Sequence, residues 1–511
     1  MFTKDSITHI KTLADLRKAG YQPKSIKEEL RYNLIHHLKH KKPIFEGIYG
    51  YEDTVIPDLQ RAILSMHNIN LLGLRGQAKT RMARMMVELL DEYVPVIAGS
   101  ELNDDPMNPL SHYGKQTVAE KGETTPITWL HRSDRYTEKL ATPDVSVADL
   151  IGDVDPIKAA SLKLPYSDER VIHFGLIPRS HRCIFVINEL PDLQPRIQVA
   201  LFNILQEGDI QIRGFKVRMP LDIQFVFTAN PEDYTNRGSI VTPLKDRIES
   251  QILTHYPKDI VVGKKITQQE ALVKPEQGKH ITVFDLAKDL VEQIAIEARQ
   301  SEFVDAKSGV SARLTISAYE NLLSTAERRM LINGENHTHI RISDFWGVVP
   351  AISGKVELVY EGEQEGAGIV ALNLLGKAVK TLFAKYFPDP EKEKKQKHTT
   401  YKKITEWFGN GEKLDLFNDM SNEEYRQALY AIPNLEGLVR DKLPTLGEEE
   451  KLFMMEFLLH GMAEYSLLTK KYLERGLQFN DILGGMLGGI GGNDFGFYDD
   501  EEDTKPPKRK K

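Results

Sequence analysis

LLGLRGQAKTR, residues 71–81, is the stretch on which the fold turns. A short apolar run (Ile69, Leu71, Leu72) meets a glycine and then helix-compatible residues from Met82 to Leu90. In such a strand–loop–helix context, backbone N–H groups and a helix N-terminus converge on an anion. The lining would be Gly73, Arg75, Gly76, Gln77, Ala78, Lys79, Thr80 and Arg81. There Lys79 would reach the terminal phosphates and Thr80 would offer its hydroxyl to Mg²⁺. Ala78 stands where a glycine usually precedes the lysine; if the loop needs positive φ at that point, alanine costs about 1–2 kcal/mol. Alone, the string fits equally well a plain strand–turn–helix with a surface lysine.

The bulk composition narrows the class. With 511 residues the chain is too long for one core, and about three domains is the natural expectation. Hydrophobic residues at 41% and charged ones at 28% are those of an ordinary globular protein. No run approaches the roughly 20 apolar residues of a membrane span, and no charged-then-apolar signal opens the chain. A single cysteine, Cys183, excludes a disulfide framework and a cysteine zinc site, so a cytoplasmic location is expected. The net charge of -7 gives no global pull toward nucleic acid.

Working outward, residues 1–43 suggest two short helices, the second over 25–42 and ending before Pro43. Its His36 and His40 have a zinc-compatible spacing, but no carboxylate or cysteine completes the set, which leaves a solvated basic face. IFEGIYGY (44–51) is a glycine-broken turn into a helix over 54–67, either shaping an adenine pocket or merely connecting. VPVIAG (94–99) has the pattern of a second buried strand, and 101–135 that of an irregular excursion outside the sheet. VIHFGLIPRSH (171–181) resembles a hairpin feeding CIFVINEL (183–190). The latter matches a central parallel strand whose C-terminal tip faces a ligand crevice.

Asn188 and Glu189 stand at that tip. In a phosphate-loop ATPase the first position supports Mg²⁺ through its water and the second polarises the water that attacks the γ-phosphate. Asn188 replaces the usual aspartate: its amide oxygen can accept from metal-bound water but brings no negative charge. A polar strand end is the bland alternative. After a helix over 197–207, GDIQIRGFKVRMPLDI (208–223) carries a hairpin signature with its turn at Arg213-Gly214. IQFVFT (223–228) is the next apolar strand and runs into Asn230, which can hold the attacking water or the γ-phosphate. Arg247, in PLKDRIESQI (243–252), offers a planar cation suited to transition-state phosphate charge supplied from a neighbouring subunit.

In order and spacing, these pieces resemble an AAA+ ATPase module of the magnesium-chelatase I-subunit and MoxR group, the helix-2-insert clade. The resemblance covers about residues 44–355 and is carried by GLRGQAKT, ATPDVSVADLIGDVDP (141–156), RVIHFGLIPRSHRCIFVINELPDL, GDIQIRGFKVRMPLD, FTANPEDYTNRGSIVTPLKDRI and GVSARLTI. It implies an α/β fold: an AAA+ P-loop parallel-sheet domain, then an α-helical lid and a further helical C-terminal region. The implied segments are an N-terminal helical segment (1–43), the nucleotide-binding domain (44–262), the lid (263–360), the C-terminal helical region (361–485) and a disordered tail (486–511). Within the second, 143–181 would be the helix-2 insert and 208–221 the hairpin before sensor 1. Gly73, Gly76, Lys79 and Thr80 would form Walker A, Asn188 and Glu189 Walker B, Asn230 sensor 1, Arg247 the arginine finger and Arg313 sensor 2.

Further expectations follow from the resemblance: ATP and Mg²⁺ as cofactors, ATP hydrolysis, and a homo-oligomeric ring, a hexamer. The chain lacks a DxSxS metal-binding signature, so a separate von Willebrand A domain protein is the expected partner. The work would be remodelling or activation of a partner complex. The alternatives are the ATPase subunit of a true magnesium-porphyrin chelatase and a nucleotide-dependent scaffold with little hydrolysis. Nucleic acid is not expected, since neither a GAFTGA-type loop nor a helix-turn-helix stands out. The charged run 388–400 is taken as a solvated connector. Phe495, Phe497 and Tyr498, beside acids in the tail, would suit a short partner-docking peptide.

Overall fold

The computed structural model describes residues 2–165, 168–210, 212, 219–231, 240–396, 400–473 and 475–482. The chain forms two compact units, Met1–Pro257 and Lys258–Lys511.

A five-stranded parallel sheet organises the first unit: β1 (Ile69–Leu72), β2 (Tyr136–Leu140), β3 (Cys183–Asn188), β4 (Ile223–Ala229) and β5 (Ser250–Leu253), in the order β5-β1-β4-β3-β2. Every pairing is parallel, so all five strands end on one edge. β3 and β4 are buried along their whole length, which explains their unbroken apolar runs. Alternation sends Ile184 and Val186 to the face packed against Met82, Ala83 and Met86. Phe185, Ile187, Phe225 and Phe227 go to the opposite core with Leu150, Ile177 and Ile197.

The N-terminal residues belong to this same unit. Helix Ile26–Lys39, capped by Ser25, adds Ile26, Leu30 and Leu34 to the core under β1. Its buried Glu29 meets the Arg135 guanidinium through two bonds of 2.7 Å. Arg135 directly precedes β2, so the pair ties the helix to the strand's entry.

Some local readings change. The strand in VPVIAG, Tyr93–Ile97, pairs antiparallel with Ile127–His131 and lies outside the five-stranded sheet. Pro95 gives the reason, because a residue without an N–H is poorly tolerated in a central strand. The stretch 101–135 also contains helix His112–Lys121 and that strand, so it is not structureless. In VIHFGLIPRSH, Ile172–Phe174 pairs back with Gly152–Val154, and Leu176–Arg179 is a short helix. The base of the 208–221 hairpin is present as Asp209–Ile210 against Met219–Pro220; its turn lies outside the described residues.

In the second unit one continuous core runs from Ile281 to Phe479. Helices Asp285–Gln300, Arg313–Ile332, Ala367–Phe383 and Glu448–Glu464 supply most of it. The stretches assigned to a lid and to a C-terminal region therefore share a single interior. The latter is not all helical, for Leu414–Phe417, Gly476–Asn480 and Thr469–Leu473 form a three-stranded antiparallel sheet. Part of the charged run, Pro390–Gln396, is helical. The tail with Phe495, Phe497 and Tyr498 falls outside the described residues. Among the described residues no helix is long and apolar enough to cross a membrane.

Candidate functional site

At the C-terminal edge of the sheet, three strand ends converge. β1 runs into the loop through Gly73, whose N–H donates to the Ala229 carbonyl at 3.1 Å. A Cβ at this glycine would lie 1.9 Å from Thr254 Oγ1 and 2.3 Å from Gln77 Oε1, so any side chain there would displace both. Gly76 and Ala78 both adopt left-handed backbone, at φ 71° and 57°. Ala78 thus carries the steric penalty of about 1–2 kcal/mol that a Cβ brings there. Helix Lys79–Met85 begins directly after it, with Arg81 on its first turn.

The loop is braced from below. Thr254 Oγ1 donates to Gln77 Oε1 at 2.6 Å, and Tyr256 donates to the Arg75 carbonyl at 3.0 Å. The Tyr51 hydroxyl lies 3.1 Å from the Gln77 carbonyl and 2.8 Å from that of His255. IFEGIYGY therefore contributes a loop support through Tyr51.

Lys79 is buried, and its ammonium donates to the carbonyls of Gly73 and Leu74 and to Asn230 Oδ1, the last at 2.6 Å. Asn230 follows β4, and its Nδ2 donates to Glu189 Oε2 at 2.6 Å. Glu189, just past β3, has φ 56°, and its N–H donates to Thr228 Oγ1 at 3.1 Å. One asparagine thus joins the loop cation to the carboxylate at the β3 tip. A parallel chain joins the hydroxyls: Thr80 Oγ1 and Thr228 Oγ1 each donate to Asn188 Oδ1 at 3.1 Å. Asn188 Nδ2 donates to Glu138 Oε1 at 2.6 Å.

No family model matches the chain. A curated relative, the magnesium-chelatase subunit ChlI homolog of Methanocaldococcus jannaschii, is 23% identical over 318 residues, covering 59% of this chain and 83% of that protein. The chain is similar to AAA+ proteins of the magnesium-chelatase I and MoxR type. Among solved structures, the complex between subunits BchI and BchD of magnesium chelatase contains a chain 18% identical to this one. That match covers 63% of this chain and 99% of the other, with a TM-score of 0.33. NtrX from Brucella abortus is 13% identical with a TM-score of 0.30; the match covers 57% of this chain and about half, 55%, of NtrX.

The fold thus gathers Gly73, Lys79, Thr80, Asn188, Glu189 and Asn230 into one hydrogen-bonded cluster, with Arg75, Gly76, Gln77, Ala78 and Arg81 in the same loop and helix. Arg247 stands apart from that cluster. Its guanidinium donates to Gln206 Oε1 at 3.0 and 2.7 Å and to the Pro243 carbonyl at 2.7 Å, and it lies over the Phe202 ring. Arg313 begins helix Arg313–Ile332 in the second unit and is exposed.

Sequence reasoning missed Glu138 and Thr228. Thr228 is the one polar residue inside an otherwise apolar strand end, two positions before Asn230, a pattern that could have marked it. Glu138 carries no such sign in YTEKL; only the register, with Leu140 opposite Asn188, brings its side chain to the same face. Among the described residues no cluster of three or more His, Cys, Asp or Glu could cage a metal by itself. A hydroxyl, an amide oxygen and a nearby carboxylate nevertheless fit Mg²⁺, which is bound through few protein oxygens plus water and phosphate.

Proposed function

We propose that this AAA+ chain binds and hydrolyses ATP in a homo-oligomeric ring, a hexamer, and uses the cycle to remodel or activate a partner complex. The observation that carries the reading is the Lys79–Asn230–Glu189 chain of hydrogen bonds at the ends of β1, β4 and β3. Lys79 is the point charge for the β- and γ-phosphates, and the loop N–H groups cradle them. Glu189 accepts from the attacking water and Asn230 holds that water against the γ-phosphate. Thr80 and Asn188 would hold Mg²⁺, which when bound would supply charge neutralisation at the phosphate oxygens. Arg247 acts on the nucleotide of a neighbouring subunit, leaving Gln206 to do so. Arg313 reports the nucleotide state to the second unit.

The BchI–BchD complex supports a two-component machine, and a von Willebrand A domain protein is the partner this reading assigns. A second reading, a nucleotide-dependent scaffold, draws on Ala78 in left-handed backbone and on the uncharged Asn188. Phosphate release by the full chain, with ring assembly followed by light scattering, separates the two. ATP turnover in the wild type falls about 100-fold or more in Glu189→Gln, while nucleotide binding is kept. Lys79→Ala loses nucleotide binding itself. A wild-type ring that binds ATP and releases no phosphate would establish the scaffold, and unchanged affinity in Lys79→Ala would remove the site.

A further inference from the structure

Asn188 is an amide at a position where a carboxylate would serve a cation without regard to which way it is turned. An amide has two unlike ends, and only its oxygen can face a metal or accept from metal-bound water. Its orientation is decided by its hydrogen-bond partners. Two of these are hydroxyls on the phosphate-loop side and below it, Thr80 Oγ1 and Thr228 Oγ1, each 3.1 Å from Oδ1. Hydroxyls accept as readily as they donate, so neither fixes the amide by itself. The third partner is a carboxylate, which only accepts. Glu138 Oε1 lies 2.6 Å from Asn188 Nδ2, and turning the amide over would set two oxygens against each other at that distance.

Glu138 is itself held firmly. Its Oε2 accepts from Arg84 Nη2 and from the Tyr136 hydroxyl, both at 2.8 Å. Arg84 stands on the helix that opens with Lys79, and Tyr136 and Glu138 share one face of β2. The carboxylate is therefore braced from the loop helix and from its own strand, and one oxygen is left for Asn188. We propose that Glu138 is the positioning residue for the divalent cation: it pins the Asn188 amide so that the oxygen, not the NH₂, is presented beside Thr80. This rests on the nucleotide-site reading given above. It also explains how the site works without the usual aspartate, since the lost charge stands one strand away and acts through the amide.

The test uses the full chain and a fluorescent ADP analogue titrated in EDTA and in Mn²⁺; the ratio of the two affinities measures what the cation adds. Glu138→Met removes the acceptor and is expected to cut that ratio about tenfold or more, leaving the EDTA affinity unchanged. Glu138→Gln keeps an acceptor for the amide and is expected to retain most of it. In an Asn188→Asp background there is no amide to orient, so Glu138→Met causes no loss. Arg84→Gln, which removes one of the two braces on Oε2 while sparing the amide contact at Oε1, is expected to lower the ratio less than Glu138→Met does. The proposal is overturned if Glu138→Met leaves the ratio unmoved, if it costs the same in the Asn188→Asp background, or if Glu138→Gln loses as much as Glu138→Met. In each of these cases nucleotide still binds and the site reading stands. A wild-type chain that binds no nucleotide brings down both.

Discussion

Each of the two units carries a polar network, and the two networks are built on opposite principles. In the first unit, Lys79, Asn230, Glu189, Asn188 and Glu138 are linked mostly side chain to side chain at the open edge of a sheet. In the second, the fully buried Glu456 accepts from the backbone N–H groups of Ile342 and Ser343, each at 2.8 Å, and from the Tyr425 hydroxyl at 2.7 Å. Nearby, Arg329 pairs with Asp344 at 2.9 Å and donates to the His339 carbonyl, also at 2.9 Å. Side-chain partners can be exchanged for a ligand's oxygens at little cost. Backbone partners cannot, because the freed N–H would be buried without an acceptor. The first network is therefore suited to turnover and the second to holding helices in register.

The largest effect that tests this contrast is Glu456→Ala. Burial pushes the Glu456 carboxyl upward, yet the His460 ring 3.7 Å away, the Tyr425 hydroxyl and the Ile342 N–H together hold it below the ordinary carboxylate range. Removing it strands two backbone donors, and a loss of about 3–5 kcal/mol in urea unfolding of the second unit is expected. Glu189→Gln, in the other network, is expected to move stability by less than about 0.5 kcal/mol. Comparable losses in the two variants would erase the distinction.

An intermediate effect concerns Glu292, on helix Asp285–Gln300. Its carboxylate accepts from Thr267 Oγ1 at 2.5 Å, and burial raises its pKa to about 7. The folded pKa thus lies above the ordinary value of 4.5. Between those values the folded state holds a proton that the unfolded chain has released. Stability therefore falls as pH rises through this window, levels off above it, and is least affected below it. The wild type should lose up to about 3 kcal/mol relative to Glu292→Gln between pH 5 and pH 8. A difference between the two proteins that stays constant with pH would mean the carboxyl is charged throughout and the second unit tolerates a buried titrating group as easily as the first.

How much of this was legible in the sequence follows from the same contrast. LLGLRGQAKTR, CIFVINEL and IQFVFT mark the candidate site because a buried parallel strand is an unbroken apolar run and its polar terminus is conspicuous. The order of β1, β3 and β4 in the sheet then brings Lys79, Glu189 and Asn230 together. Glu138 was illegible because a charged residue in YTEKL looks like any solvated strand position until the register with β3 is known. The strand Leu414–Phe417 was hidden for a related reason. Leu414 and Leu416 alternate with Asp415 and Phe417 over only four residues, too few to stand out among helices. The antiparallel placement of VPVIAG was signalled by Pro95, but composition outweighed that single residue.

The smallest effect is the one that sets the conformational cost of the loop 73–78 itself. Ala78 sits at φ 57° and ψ 17°, where a Cβ crowds the backbone by about 1–2 kcal/mol. Glycine relieves that crowding but loses about 0.5–1 kcal/mol more conformational freedom on folding. Ala78→Gly is therefore expected to stabilise the first unit by about 0.5–1 kcal/mol, read as a shift in its urea midpoint with the second unit unmoved. A loop whose partners are exchangeable stores its strain at the site, so relieving it should also raise nucleotide affinity, by up to about fivefold if the strain is partly released on binding. If Ala78→Gly stabilises the fold and leaves affinity unchanged, the left-handed alanine is strain that the surrounding sheet carries in both states. If it destabilises the unit, the alanine methyl makes a packing contact worth more than the crowding it causes, consistent with its place beside the core under β1.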